Sequence, residues 1–182
     1  RGAAWFTAAQ RVSTAWDADF QFQLAGGPGA DGFAFVIQNA SINELGAGGC
    51  ELAYHGIANS IAVEFDTYTN SACSVAAVND LGVPHVSVHT LGTAPNSVSE
   101  SASIGATTVV PPFSDGAIHT ARVRYVPGSL LVYIDDLVNP LLAVPLDIQT
   151  TLQLASDRAF VGFTGATGGL SETHDVLNFS FD

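Results

Sequence analysis

Lysine and methionine are both absent from the 182 residues, and only 12% of the chain is charged. The basic side chains are Arg1, Arg11, Arg122, Arg124 and Arg158, set against 17 acids for a formal net charge of -12. A surface of that sign repels phosphate backbones and anionic lipid, because binding either one requires clustered positive charge that displaces counterions. Nucleic acid partners and membrane insertion are therefore not expected. Long apolar runs are missing too. Although 47% of residues are hydrophobic and the mean hydropathy is +0.30, no stretch approaches the roughly 18 unbroken apolar residues of a spanning helix. The hydrophobic excess must fill a core, which we expect to belong to one domain over residues 1–182. No charged and apolar leader precedes Ala3-Ala4-Trp5-Phe6, so the sequence reads as a mature protein or an excised module. Gly-x-Ser-x-Gly elbows, phosphate loops, zinc-protease patterns, heptads and internal repeats are also lacking, which removes several enzyme classes.

What is present repeats with a period of two, as strands half buried in a sheet require. Phe20, Phe22 and Leu24 alternate with Asp19, Gln21 and Gln23, and Val86 and Val88 with Ser87 and His89. Near the end, Leu177, Phe179 and Phe181 are expected on one face and Val176, Asn178 and Ser180 on the other. The runs Phe33–Ile37, Ile61–Phe65 and Phe160–Phe163 are apolar almost throughout, the pattern of strands covered on both faces. Turn signals lie between such runs, and Pro127-Gly128 predicts a tight hairpin. Thr93–Thr108, rich in Ser, Thr, Ala and Gly, reads as a strand-and-loop excursion on the surface, not an interdomain linker. The economical architecture is all-β, two antiparallel sheets packed face to face. Cys50 and Cys73, the only cysteines, are either a disulfide in an oxidising compartment, the favoured reading, or two buried thiols.

The densest polar cluster is Glu64-Phe65-Asp66-Thr67-Tyr68-Thr69-Asn70, followed by Asn79-Asp80 and then His85. Two apart on a strand, Glu64 and Asp66 point to the same face. Between Arg11 and Arg122 there are ten carboxylates and no Arg or Lys. Crowded acids without cations raise one another's pKa unless a positive charge enters, and a bound metal ion supplies one. The oxygen donors suit calcium. Three carboxylates with an imidazole suit manganese or a similar ion. Alternatively, these are solvated strand-end acids and a satisfied histidine. His55, His89, His119 and His174 are read as structural, and Arg122 and Arg124, on one strand face, as partners of surface acids.

Ile61 to Asn70, then Asp80 and His85, resembles the metal-binding segment of legume lectins and the wider L-type lectin family. Further segments match in the family order. Ala30-Asp31-Gly32-Phe33-Ala34-Phe35 resembles the first sugar-binding loop and its strand, and Gly48-Gly49 with Leu52-Ala53-Tyr54 the second loop. Val161-Gly162-Phe163 through Val176 resembles the fourth loop and closing strand. The resemblance implies a concanavalin A-like jelly-roll sandwich that binds glycans without catalysis, secreted or at a cell surface, as part of a larger extracellular polypeptide. It implies a transition-metal site of Glu64, Asp66, Asp80 and His85. Calcium would be held by Asp66, the Tyr68 carbonyl, Asn70 and Asp80. Sugar would be bound by Asp31, the Asn70 amide, a backbone N–H near Gly49, and backbone around Gly169 and Leu170. It also implies a cis Ala30-Asp31 peptide. Tyr68, Tyr54 and the loop after Asn70 are candidates for an aromatic sugar platform. Ser71–Val78 is longer than the plant pattern, and Leu81 stands where proline commonly follows the metal loop, which puts the aromatic contact in doubt. A Cys50–Cys73 bridge would tie two walls of the site.

A concanavalin-like sandwich also serves glycoside hydrolases, whose strand carries a Glu-x-Asp-x-Glu array. Here the third position is Tyr68, so the second carboxylate of a catalytic pair is missing. A spacer or interaction domain without sugar binding is the remaining alternative.

Overall fold

The computed structural model describes residues 1–73 and 78–182. Its strands, in chain order, are β1 (Gly2–Trp5), β2 (Gln10–Arg11), β3 (Trp16–Ala25), β4 (Gly32–Gln38), β5 (Ser60–Asp66), β6 (His85–Thr90), β7 (Ser103–Thr107), β8 (Ile118–Val126), β9 (Gly128–Ile134), β10 (Leu142–Leu146), β11 (Arg158–Ala166) and β12 (Thr173–Phe181). A single helical turn, α1 (Ile148–Thr151), follows β10 and is capped by the Asp147 carboxylate, which accepts from the Thr150 N–H. Among the described residues no helix is long and apolar enough to cross a membrane.

Two antiparallel sheets result. One runs β1-β11-β4-β5-β6-β7, with β2 added to β11, and the other runs β10-β9-β8-β3-β12. The expected all-β sandwich is therefore observed. The tight hairpin falls where Pro127-Gly128 placed it, with Val126 opposite Ser129. Between the sheets, Phe20, Phe22 and Leu24 of β3 meet Phe33, Phe35, Phe65 and Phe163 from the facing strands. Phe33 and Phe65, cross-strand neighbours in register, stack with ring centres 4.7 Å apart. Phe163 stands edge-on to Phe20 at 4.9 Å. Such pairs contribute beyond the area they bury.

Strands β4 and β5 are buried at every residue, and the reason is a second apolar layer. On the outer face of the seven-stranded sheet, Ala34, Val36 and Ala62 lie under Leu52, Tyr54, Ile57, Val78 and Val98, which come from the chain after Cys50 and from the chain on either side of β6. The strand expected within Thr93–Thr108 is present, as Ser103–Thr107 of β7, but its place on the surface is corrected: Asn96, Val98, Ser99 and Ala102 are buried, and Ala58 bridges to Pro95.

The closing strand corrects another expectation. A bulge between Val176 and Asn178 shifts the β12–β3 register, so that Val176 lies opposite Phe22 and Phe179 opposite Phe20. One extra residue reverses the alternation. Phe179 and Phe181 pack on the core while Leu177 stays exposed, and Val176 precedes the reversal instead of sharing a face with Asn178.

Candidate functional site

The same alternation that fills the core also loads the outer face with chemistry. Ile61, Val63 and Phe65 of β5, with Val86 and Val88 of β6, point between the sheets. The residues between them therefore point the other way. In register these are Glu64 opposite Ser87, Asp66 opposite His85, and Ala62 opposite His89. Glu64, Asp66, His85, Ser87 and His89 are all buried, because the second apolar layer and its loops cover them.

Donor atoms on this face fall into two triads that share His85. Asp66, Asp80 and His85 bring ligand atoms within 4.8 Å of one another, and so do Glu64, His85 and Glu100. Sequence reasoning placed Glu64 with Asp66 and Asp80 and missed Glu100. That acid comes from a short helical turn, Glu100–Ala102, just before β7. The one available signal was its isolation, since Glu100 is the only acid between Asp80 and Asp115. His85 Nε2 lies 3.1 Å from Glu100 and 3.3 Å from Glu64. Its Nδ1 is 3.0 Å from the Gly82 carbonyl, which can only accept, so Nδ1 carries a proton. His89, read as structural, sits in the same pocket with Nε2 2.7 Å from Ser87 Oγ and 3.7 Å from Glu100.

The electrostatics follow from burial without arginine. All five guanidiniums are engaged elsewhere, with the Gly46 and Ala9 carbonyls or with Asp157, Asp19 and Asp17. Burial opposes charge on His85, yet hydrogen bonds to Glu100 and Glu64 hold its pKa up at about 10. Burial likewise opposes charge on Glu100, but hydrogen bonds from His85 and His89 bring it down to about 2. Burial raises Asp80 to about 6 against the pull of the Asn70 N–H, and raises Asp66 well above the carboxylate range, helped by repulsion from Glu64. Tyr54 is buried completely and donates its hydroxyl to Glu64 at 2.5 Å. It cannot be an aromatic platform for a ligand, as the sequence suggested. Tyr68, at 38% exposure, remains on the surface.

Above the triads, loops converge on Asp31. Ala30-Asp31 is cis, as expected. The Asp31 N–H donates to the Ala166 carbonyl and its own carbonyl accepts from Thr67, both at 3.1 Å, so its backbone is pinned between the ends of β11 and β5. A Cβ on Gly168 would stand 3.1 Å from Asp31 Oδ2 and 3.7 Å from the Gly49 Cα, so the second and fourth loops meet over this carboxylate. The Asn70 side chain hydrogen-bonds Asp31, and its backbone N–H donates to Asp80 Oδ2. Asn70 thus joins the upper site to Asp80. The Tyr68 N–H donates to Asp66 Oδ1 at 2.7 Å, which folds the loop between them. Gly169 and Leu170 are exposed at the rim.

Two features brace these loops. Cys50 and Cys73 form the disulfide, which ties the second loop to the chain after Asn70. Glu172, which the sequence did not single out, accepts from Thr67 at 2.7 Å and from Ser114 at 2.6 Å, and lies 3.2 Å from His174. Three oxygens at this place are buried without any hydrogen-bond partner: Asp31 Oδ2, Asn70 Oδ1 and Asp80 Oδ1.

The model of the legume lectin domain family matches residues 4–182. The chain belongs to that family. A similar relative is Lectin 8 of Medicago truncatula, 32% identical over an alignment of 166 positions that covers 83% of this chain and 56% of the relative. This legume lectin domain thus spans little more than half the length of that relative. Among solved structures, lectin II from Ulex europaeus shares the fold with a TM-score of 0.78 at 22% identity, covering 98% of this chain and 80% of that one. The exoplasmic/lumenal domain of VIP36 in its Ca2+/Man2-bound form has a TM-score of 0.71 at 19% identity, covering 97% and 69%.

Proposed function

We propose that this chain binds carbohydrate through a site shaped by bound divalent cations, as one non-enzymatic lectin domain over residues 1–182 of a larger extracellular or cell-surface polypeptide. The observation that carries the reading is the set of partnerless oxygens on Asp31, Asn70 and Asp80. Leaving each one buried and unsatisfied costs about 1–3 kcal/mol. They lie on the residues that the family resemblance assigns to sugar and to calcium, so a cation and saccharide hydroxyls would complete them together.

The residues fit that pair of ligands. Asp66, Asp80, Asn70 and the Tyr68 carbonyl are hard oxygen donors of the calcium type. Glu64 and His85 suit a second divalent ion of the manganese kind. The cations would supply the positive charge that no arginine provides here. With Oδ1 of Asn70 engaged in that way, its side-chain N–H groups are held toward Asp31 and a sugar, so little ordering entropy remains to be lost on binding. Asp31 accepts from sugar hydroxyls, while backbone around Gly49, Gly169 and Leu170 surrounds them. VIP36, bound to Ca2+ and Man2 in its solved form, supports the pairing of cation with saccharide. The side chain of Tyr68 where a hydrolase would carry its third acid supports binding without catalysis. The disulfide supports an oxidising compartment.

A glycan array with mannose, glucose, galactose and N-acetylgalactosamine ligands, run with calcium and with EDTA, tests this. Retention is expected in calcium, and its loss in EDTA and in Asp31→Ala and Asn70→Ala. Retention indifferent to EDTA, or none on any glycan, would overturn the proposal and favour a spacer domain. Release of reducing ends from β-glucans would return the hydrolase reading.

A further inference from the structure

A saccharide held by Asp31, Asn70 and the backbone around Gly169 and Leu170 is gripped by three separate loops, and the grip depends on their spacing. We propose that Glu172 is a positioning residue of the sugar site, holding the fourth loop in register with Asp31 and with the metal loop. The inference rests on the reading of this site as a carbohydrate site and adds a residue to which the resemblance assigns no role.

Glu172 is the last residue before β12, and its side chain is only 2% exposed. Thr67 makes the central link. Its N–H donates to the Asp31 carbonyl at 3.1 Å and its hydroxyl to Glu172 Oε1 at 2.7 Å. One residue of the metal loop is thus bonded to the first loop by its backbone and to the fourth by its side chain. The same Oε1 lies 3.2 Å from His174 Nε2, which donates because an ionised carboxylate can only accept. The other oxygen, Oε2, accepts from Ser114 at 2.6 Å and brings in the chain before β8. Hydrogen bonds to an ionised acceptor are about twice as strong as neutral ones. Burial opposes the charge on Glu172, yet the bonds from His174, Ser114 and Thr67 hold its pKa below the usual carboxylate value.

The loops leave one another no slack. A Cβ on Gly27 would stand 1.8 Å from the Ser171 carbonyl oxygen, so the first loop lies backbone to backbone on the fourth. A Cβ on Gly29 would stand 3.5 Å from Ser114 Oγ and 3.7 Å from Glu172 Oε2, which packs the first loop against the carboxylate itself, two residues before Asp31. Glu172 is not among the oxygens left without a partner, unlike Asp31 Oδ2 and Asn70 Oδ1. Its acceptors are taken up by protein, so it acts on a ligand through the residues it holds. Such support is what fixes the geometry of groups that do touch a ligand.

The test measures saccharide and cation separately on the intact chain. Mannose, glucose, galactose and N-acetylgalactosamine are titrated by calorimetry in saturating calcium well below the Tm, and Tb3+ luminescence follows the calcium site without sugar. Glu172→Gln, which keeps the size but turns an amide N–H toward a donor, is expected to weaken the sugar bound by the unaltered protein about fivefold or more, while Tb3+ affinity stays within about threefold. Thr67→Val, which keeps the shape and loses the hydroxyl, is expected to weaken sugar in the same way, and Thr67→Ser, which keeps the hydroxyl, to hold it within about twofold. Thr67→Val combined with Glu172→Gln should cost no more than Glu172→Gln alone, because both cut one bond, whereas independent losses multiply. The two Thr67 variants decide the matter if Glu172→Gln does not fold. Sugar affinity unchanged in Glu172→Gln and Thr67→Val, effects that multiply in the double variant, or an equal loss of Tb3+ affinity overturns the positioning role and leaves the lectin reading standing. Binding of none of the four sugars by the unaltered protein removes both.

Discussion

Two strands in this molecule carry acids at alternate positions, and the two sheets treat them in opposite ways. On the outer face of the five-stranded sheet, Asp17 and Asp19 of β3 lie opposite Arg124 and Arg122 of β8. Each carboxylate takes both of its hydrogen bonds from one guanidinium, at 2.6 and 2.7–2.8 Å. On the seven-stranded sheet, Glu64 and Asp66 of β5 lie opposite Ser87 and His85, with no arginine near. The same local pattern is closed by guanidinium charge in one place and met by an imidazole, a phenol hydroxyl and a backbone N–H in the other. The difference lies in the neighbouring strand and in burial. Exposed pairs are worth little and are easily made, whereas buried oxygens left without partners, such as Asp80 Oδ1 beside this face, are costly unless something fills the gap.

The largest effect should come from filling it. Calcium at a hundredfold excess over its Kd stabilises the native state by about 2.7 kcal/mol, expected as a rise in Tm of roughly 5–10 °C for a chain of this size. Differential scanning fluorimetry with calcium and with EDTA measures it, and no shift would mean that the acids need no ion. Next comes Tyr54→Phe, which removes the hydroxyl donated to buried Glu64 and should cost about 2 kcal/mol in urea unfolding of the metal-free protein.

The third prediction concerns pH between 4.5 and 6.5. Asp80 is raised in the fold from 3.8 to about 6, so its contribution to stability is complete below 3.8 and is lost as pH rises through 6. Asp66, also raised, acts in the same direction. His85, raised to about 10, contributes fully below 6.5, and Glu100, lowered to about 2, contributes fully above 4.5, so neither changes within this window. The metal-free Tm should therefore fall as pH rises from 4.5 to 6.5. Calcium affinity should do the reverse, weakening about tenfold per unit below pH 6 as a proton competes for Asp80. Parallel slopes with and without calcium would remove Asp80 from the site. The smallest effect belongs to the paired acids. Arg124→Gln should cost no more than about 1 kcal/mol, shrink further in salt, and leave calcium binding untouched.

Much of the site was legible before the fold because period two is a local property. A two-residue spacing set Glu64 and Asp66 on one face, and the segments around Asp31, Gly49, Asp80 and His85 carried the family pattern in order. Glu100 was not legible. It lies in a stretch of small polar residues whose course back across β6 depends on long-range pairing. Tyr54 was misread for a related reason: an aromatic beside a binding loop looks available until the loop is seen folded under its own apolar layer. The bulge that reverses β12 left no mark in the sequence either, since alternation continues on both sides of it.

The sequence alone determined the strand content, the unequal faces of β5 and β6, and the lack of cations around their acids, because each follows from residue type and the alternation of the chain. The tertiary structure decided which acids meet. Triads that share His85, and oxygens left without partners on Asp31, Asn70 and Asp80, arise only when loops distant in sequence close over one sheet face, and that closure is governed by burial across the whole molecule.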